Sequence, residues 1–220
     1  MTTEKLTYRS RDGLSIEAEL DAPPDEKAAL VLCHPHPKMG GTMHAPLLLA
    51  LRDELCACGW TVLRFNFRGI GASEGEPSLG AQEVDDAIGA VALLRERAQE
   101  RIAIAGWSFG AAVAVRAAAE DDSLVGCVGI APAVRPQQDV TIGLPRPDEL
   151  DLGVPLLFVC GANDEVVSAA ECRDWVAAFD HGDYVEMASA NHFFWGRYDK
   201  LTATVAGWLD ERVRGRPPQR

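Results

Sequence analysis

Positive charge is scarce in this 220-residue chain: 21 lysines and arginines stand against 33 aspartates and glutamates, a formal net charge of −12. A surface of that sign repels phosphate backbones and anionic headgroups, so neither a nucleic acid nor a membrane is expected as a partner. Long apolar runs are missing as well, and no stretch approaches the ~18 to 20 residues that a membrane-spanning helix needs. The opening Met1-Thr-Thr-Glu-Lys-Leu6 lacks a basic region followed by an apolar one. No signal peptide is therefore expected, and a cytoplasmic location is. Cysteine is present six times but never in a metal or redox spacing, since Cys56-Ala-Cys58 is one residue short of Cys-x-x-Cys. Cys33, Cys127, Cys160 and Cys172 are scattered through apolar or helical stretches, as reduced thiols in packing roles are. There is no internal repeat and no linker. One domain over residues 1–213 is expected, with a flexible tail over 214–220 rich in Arg and Pro.

Hydrophobic residues make up 47% of the chain, enough for one sizeable core at this length. Two polar-alternating runs, 5–10 and 14–20, flank Arg11-Asp12-Gly13 and read as a β-hairpin. Short apolar runs at 28–33, 61–65, 102–105, 124–131, 156–160 and 184–187 then alternate with helical patterns at 47–58, 82–99, 111–119, 169–179 and 201–213. Such alternation implies an α/β fold, a doubly wound and mostly parallel sheet with helices on both faces. Ligands in such sheets gather at the carboxyl ends of the strands, which directs attention to the loops after Cys33, Phe65, Ala105, Cys160 and Met187.

One of those loops is almost absent. Gly106-Trp107-Ser108-Phe109-Gly110 joins a strand to an alanine-rich helix with no room to turn. This forces Ser108 into a strained conformation that small neighbours must accommodate, and it lifts the hydroxyl clear of the sheet. A serine hydroxyl becomes an effective nucleophile when an imidazole takes its proton and a carboxylate orients that imidazole. Later strand ends offer both: Asp164 in Gly161-Ala-Asn-Asp-Glu165, and His192 in Ala190-Asn-His-Phe-Phe-Trp195. Ser108, Asp164 and His192 follow the chain order associated with this elbow. Glu165 and Asp139 are the alternative carboxylates.

An oxyanion hole needs two backbone donors. Phe109 N–H supplies one, and the loop His34-Pro-His-Pro-Lys-Met-Gly-Gly-Thr42 the other. Pro35 and Pro37 have no N–H, leaving His36 as first choice with Lys38 or a later residue as alternatives. His34-x-His36 could instead be a metal pair, but no third-ligand pattern accompanies it and no metal is expected. Gly69, Gly71 and Gly75 fall after the wrong strand for a dinucleotide fingerprint. That loop reads instead as a brace in which Arg68 pairs with a carboxylate. Met39, Met43, Trp107, Phe193, Phe194 and Trp195 are candidates for lining a substrate pocket.

These segments resemble the α/β-hydrolase superfamily. More narrowly, His34-Pro-His-Pro-Lys-Met-Gly-Gly-Thr-Met43, Arg64 to Gly75, Gly106 to Ala111 and Asn191 to Gly196 are similar to small, nearly lidless bacterial serine hydrolases related to the dienelactone-hydrolase-like group. The resemblance implies an eight-stranded sheet, a Ser108–His192–Asp164 triad, and oxyanion donors at Phe109 and His36; acyl transfer through Ser108 calls for no cofactor. Dienelactone hydrolases carry a cysteine nucleophile, where this chain has Ser108. The Pro-broken stretch from Pro132 to Pro155 is too short to form a lid with its own core. An open site for small or short-chain acyl esters or thioesters is expected. A non-catalytic small-molecule binder, or a peptidase or perhydrolase using the same residues, are the alternatives.

Overall fold

The computed structural model describes residues 1–215. The expected hairpin is β1 (Thr2–Arg9) and β2 (Ser15–Ala22), antiparallel with Thr2 opposite Ala22 and Arg9 opposite Ser15. Six further strands follow: β3 (Ala28–Cys33), β4 (Trp60–Phe65), β5 (Ile102–Trp107), β6 (Gly126–Ile130), β7 (Leu156–Gly161) and β8 (Gly182–Met187). All eight form one sheet in the order β1-β2-β4-β3-β5-β6-β7-β8. β2 pairs antiparallel with β4, and every pairing from β4 onward is parallel. This is the α/β-hydrolase architecture. Strands β3, β4, β5 and β7 are buried at every position, as parallel strands covered on both faces must be.

The helices are α1 (Pro46–Ala57), α2 (Glu83–Glu96), α3 (Phe109–Ala118), α4 (Ala169–Val176) and α5 (Tyr198–Gly215). The chain steps outward from β3 to β4, then returns past β3 to reach β5. With right-handed crossovers this reversal puts α1 on one face and α2 on the other. Packing follows it, with α1 against α5 and α2 against α3. The last helix corrects one expectation: α5 begins at Tyr198 and runs through Arg214 and Gly215, so the tail expected from 214 is helical for its first two residues. Arg214 Nη2 lies 4.0 Å from Asp210 Oδ2 one turn earlier, which helps carry the helix on. Residues 216–220 of that expected tail lie outside the described residues.

Between β6 and β7 the chain makes a single 3-10 turn, Pro147–Glu149, and one isolated bridge from Gln137 to Thr141. No α-helical cap stands over the carboxyl ends of the strands among the described residues. Proline at 132, 136, 145, 147 and 155 breaks this segment into stretches of eight residues or fewer, too short for a multi-helix lid with its own core.

The antiparallel side of the sheet is held by a buried charge cluster. Arg64 on β4 stands directly opposite Glu19 on β2. Its Nε and Nη2 donate to Asp21 Oδ2 at 2.9 and 2.7 Å, Nη2 also to Glu19 Oε2 at 2.8 Å, and Nη1 to the Met43 carbonyl at 2.9 Å. Arg64 and Asp21 are both fully buried, so removing one partner strands the other in a low dielectric. Arg64→Met is expected to lower the unfolding free energy by about 3–5 kcal/mol in urea titration, whereas Arg64→Met with Asp21→Leu recovers much of the loss.

Candidate active site

Ser108 sits at the β5–α3 junction with φ 56° and ψ −112°, a left-handed conformation unfavourable for a residue with a Cβ. Its neighbours hold it there. Ser108 N–H donates to the Ile130 carbonyl on β6 at 2.8 Å, and the Ser108 carbonyl accepts from Ala111 at 3.1 Å. The reversal works only because two glycines lie against backbone. A Cβ on Gly106 would stand 2.2 Å from the Gly110 carbonyl oxygen. One on Gly110 would stand 2.4 and 2.5 Å from the His34 and Cys33 carbonyl oxygens, so alanine at 110 would push α3 off β3.

The β7 and β8 loops meet the elbow. His192 Nε2 lies 3.1 Å from Ser108 Oγ, and His192 Nδ1 lies 2.8 Å from Asp164 Oδ2. With Nδ1 protonated toward the carboxylate, Nε2 is left as an acceptor facing the serine hydroxyl. Asp164 is locked by its own loop, because Oδ1 accepts the N–H groups of Val166 at 2.8 Å and Val167 at 2.9 Å. Its side chain is fully buried, whereas Glu165 and Asp139 are exposed and touch neither His192 nor Ser108. Two ties keep the loops in register: Asn163 N–H to the Ala190 carbonyl at 2.8 Å, and Trp107 Nε1–H to the His192 carbonyl at 3.1 Å.

The loop after β3 supplies the opposite wall. Lys38 N–H donates to the ring of His36 at 3.1 Å, Met39 N–H and Gly41 N–H to the His36 carbonyl at 3.1 and 3.0 Å, and Gly40 N–H to the Pro37 carbonyl at 3.2 Å. The N–H groups of His36 and Phe109 make no hydrogen bond among the described residues. The His36 ring is fully engaged, Nδ1 accepting from Lys38 and Nε2–H donating to the Val140 carbonyl at 2.8 Å. Its edge also packs on the Phe109 ring, centroids 5.2 Å apart, so one side chain braces the backbone at both free donors.

His34 lies deeper. Its Nε2 accepts from Phe67 N–H at 3.0 Å and Nδ1–H donates to the Pro35 carbonyl at 2.6 Å, joining the β3 and β4 loops. Both ring nitrogens of His34 and of His36 are thus spent within the fold, which leaves the metal-pair alternative without free ligands. No group of three or more His, Cys, Asp or Glu arranged to hold a metal occurs among the described residues. Arg68 meets the expected brace: Nη2 reaches Asp86 Oδ1 at 2.7 Å and Nη1 reaches Asp12 Oδ2 at 2.9 Å, tying the β4 loop to α2 and to the hairpin turn.

A cavity of about 460 Å³ opens beside Ser108 and His192. Of the six expected lining residues it takes Met39, Trp107 and Phe193. The other three are corrections. Met43 is buried behind the loop, its N–H held by Asn66 Oδ1 at 2.9 Å. Phe194 turns into the core at φ 53°, and Trp195 stands outside the cavity, stacked on Phe193 at 4.9 Å. Pro35, Ala45, Pro46 and Val166 also line it and were not foreseen. Their apolar type carries no functional signal, although Val166 could have been suggested by its place two residues after Asp164.

Burial pushes the His34 imidazole down from 6.5 to about 4. Above pH 6.5 folded and unfolded chains both hold it neutral. Below that, the unfolded chain binds a proton that the folded one refuses until about pH 4. His34 therefore withdraws up to about 3 kcal/mol of stability as pH falls through this window. The unfolding free energy is expected to drop between pH 7 and 4.5, and His34→Gln to flatten that slope in denaturant titrations at each pH.

Residues 24–150 match the family described as serine aminopeptidase, S33 (Hydrolase_4), more than half of the chain. Among individual proteins, the uncharacterized protein RP471 of Rickettsia prowazekii (strain Madrid E) is 32% identical over 84% of this chain and 79% of its own. An alpha-beta serine hydrolase homologue from Coxiella burnetii superposes with a TM-score of 0.82 at 29% identity, covering 95% of this chain and 98% of that one. XC6422 from Xanthomonas campestris, a serine hydrolase without lid, gives a TM-score of 0.79 at 29% identity, over 100% and 97%.

Proposed function

This chain belongs to the serine aminopeptidase, S33 family of α/β hydrolases, and we propose that it cleaves carboxylic esters or thioesters of small acyl groups through an acyl-Ser108 intermediate. The observation that carries this reading is the continuous path Asp164 Oδ2–His192 Nδ1, His192 Nε2–Ser108 Oγ, at 2.8 and 3.1 Å. On this reading the steps are as follows. His192 Nε2 takes the Ser108 proton as Oγ attacks the acyl carbon, and Asp164 stabilises the imidazolium while holding its tautomer. The carbonyl oxygen gains negative charge and is met by the N–H groups of Phe109 and His36, which have no competing partner to give up. The proton on His192 passes to the leaving alcohol or thiol. A water, deprotonated by the same imidazole, then releases the acid and restores Ser108.

No step calls for a cofactor. The six free cysteines fit a reducing cytoplasmic setting, and among the described residues no helix is long and apolar enough to cross a membrane. The missing helical cap favours small acyl groups reached from solvent.

A fluorophosphonate probe tests the nucleophile. Labelling of the wild type and none of Ser108→Ala is expected, and labelling that survives the substitution would sink the proposal. Turnover of p-nitrophenyl acetate is expected to fall on the order of 10⁴-fold in Asp164→Asn, where the imidazole tautomer is lost. Glu165→Gln is expected to stay within about twofold of wild type, an exposed substitution away from the reacting groups.

A further inference from the structure

We infer that the acyl group this site accepts is uncharged, so that acyl chains bearing a carboxylate or an ammonium are rejected. The inference rests on the acyl-hydrolase reading above and deepens it.

Among the described residues, no Lys, Arg, Asp or Glu lines the 460 Å³ cavity. Its polar side chains are those of Ser108, His192 and His36, with the indole N–H of Trp107, which is spent on the His192 carbonyl. His192 spends both ring nitrogens on Asp164 and Ser108, and His36 spends both on Lys38 N–H and the Val140 carbonyl. Apart from the reacting hydroxyl and the two free amides, the lining thus offers a substrate no unspent donor or acceptor from its side chains. One amide belongs to the loop after β3, which lines the cavity, and the other to the elbow next to Ser108. Whichever way an acyl chain runs from Ser108 within this cavity, along Trp107, Val166 and Phe193 or along Met39, Ala45 and Pro46, its neighbours are apolar. A charge on a chain seated there would give up part of its water and gain no partner, which costs more than an apolar group of the same size.

The fixed charges nearby sharpen the selection. The carboxylate of Asp164 lies behind His192, buried and aimed at the imidazole. It repels a second anion, and the net charge of −12 opposes the approach of one from solution. For a cation, Asp164 is already spoken for by His192, Val166 N–H and Val167 N–H. An aminoacyl substrate needs a carboxylate facing its α-ammonium, and the cavity presents none, although the family takes its description from an aminopeptidase. The mouth is apolar as well, where Met39 (78% exposed) and Val166 stand, with Trp195 (68% exposed) stacked on the lining Phe193. Exposed apolar groups clustered at a cavity mark a site for an apolar ligand.

Matched p-nitrophenyl esters test this, with that ester's spontaneous hydrolysis subtracted from each rate. Valerate against hemiglutarate exchanges a methyl for a carboxylate, and propionate against L-alaninate adds an α-ammonium. Both neutral esters are expected to lead their charged partners in kcat/KM on the order of 100-fold. Met39→Arg, which brings a guanidinium to the mouth, is expected to close the hemiglutarate gap at least several-fold and leave the alaninate gap as wide or wider. Parity of either charged ester with its neutral partner in the wild type overturns the inference, as does an equal effect of Met39→Arg on both gaps. If valerate is not turned over and Ser108 takes no probe, the acyl-hydrolase reading itself falls. If valerate turnover depends on Ser108 and hemiglutarate keeps pace, charge selection alone falls.

Discussion

The left-handed backbone of Ser108 is the constraint on which the rest of the site depends. A residue with a Cβ stays at φ 56° only when its surroundings forbid relaxation. Here β6 takes its N–H, the first turn of α3 takes its carbonyl, and β3 lies so close under Gly110 that no side chain fits between them. The same contacts set the hydroxyl 3.1 Å from His192 Nε2 and leave Phe109 N–H, the next along the chain, without a hydrogen-bond partner among the described residues. The Ser108 hydroxyl and the unpaired Phe109 amide thus come from a single local reversal.

The other parts reach Ser108 from three loops that are distant in sequence, and cross-ties between the loops do the aligning. Trp107 holds the His192 carbonyl, Asn163 holds Ala190, and His34 joins the β3 loop to Phe67 on the β4 loop. His36 extends this by fastening the β3 loop to Val140 in the long connection between β6 and β7. That connection forms no lid, yet it buttresses the loop that carries a free amide. The buried charges of Arg64 and Arg68 play the same part farther out, binding the hairpin and α2 to the β4 strand and loop.

Most strands were legible because parallel strands buried on both faces read as short unbroken apolar runs. The run at 28–33 coincides with β3, and that at 61–65 misses β4 by one residue. The hairpin was legible from its Arg11-Asp12-Gly13 turn. Helix ends were less so: α5 starts three residues before the apolar pattern begins and ends two beyond it, because Asp199, Lys200 and Arg214 are charged and exposed and carry no hydrophobic signal. Ser108, Asp164 and His192 could be named together from their order at strand ends, and their side chains do touch.

By itself the sequence determined the alternation of strand and helix, the reversal at Gly106-Trp-Ser-Phe-Gly110, and the exclusion of Pro35 and Pro37 as amide donors, because periodicity, steric size and a missing N–H are local properties. Tertiary structure alone decided which carboxylate meets His192, since Asp164, Glu165 and Asp139 are chemically alike and differ in where their loops aim them. It decided likewise that Lys38 N–H is taken and His36 N–H is free, and that Met43 and Phe194 turn away from the cavity while Val166 turns toward it. Those outcomes depend on contacts between segments tens of residues apart, and no local pattern encodes them.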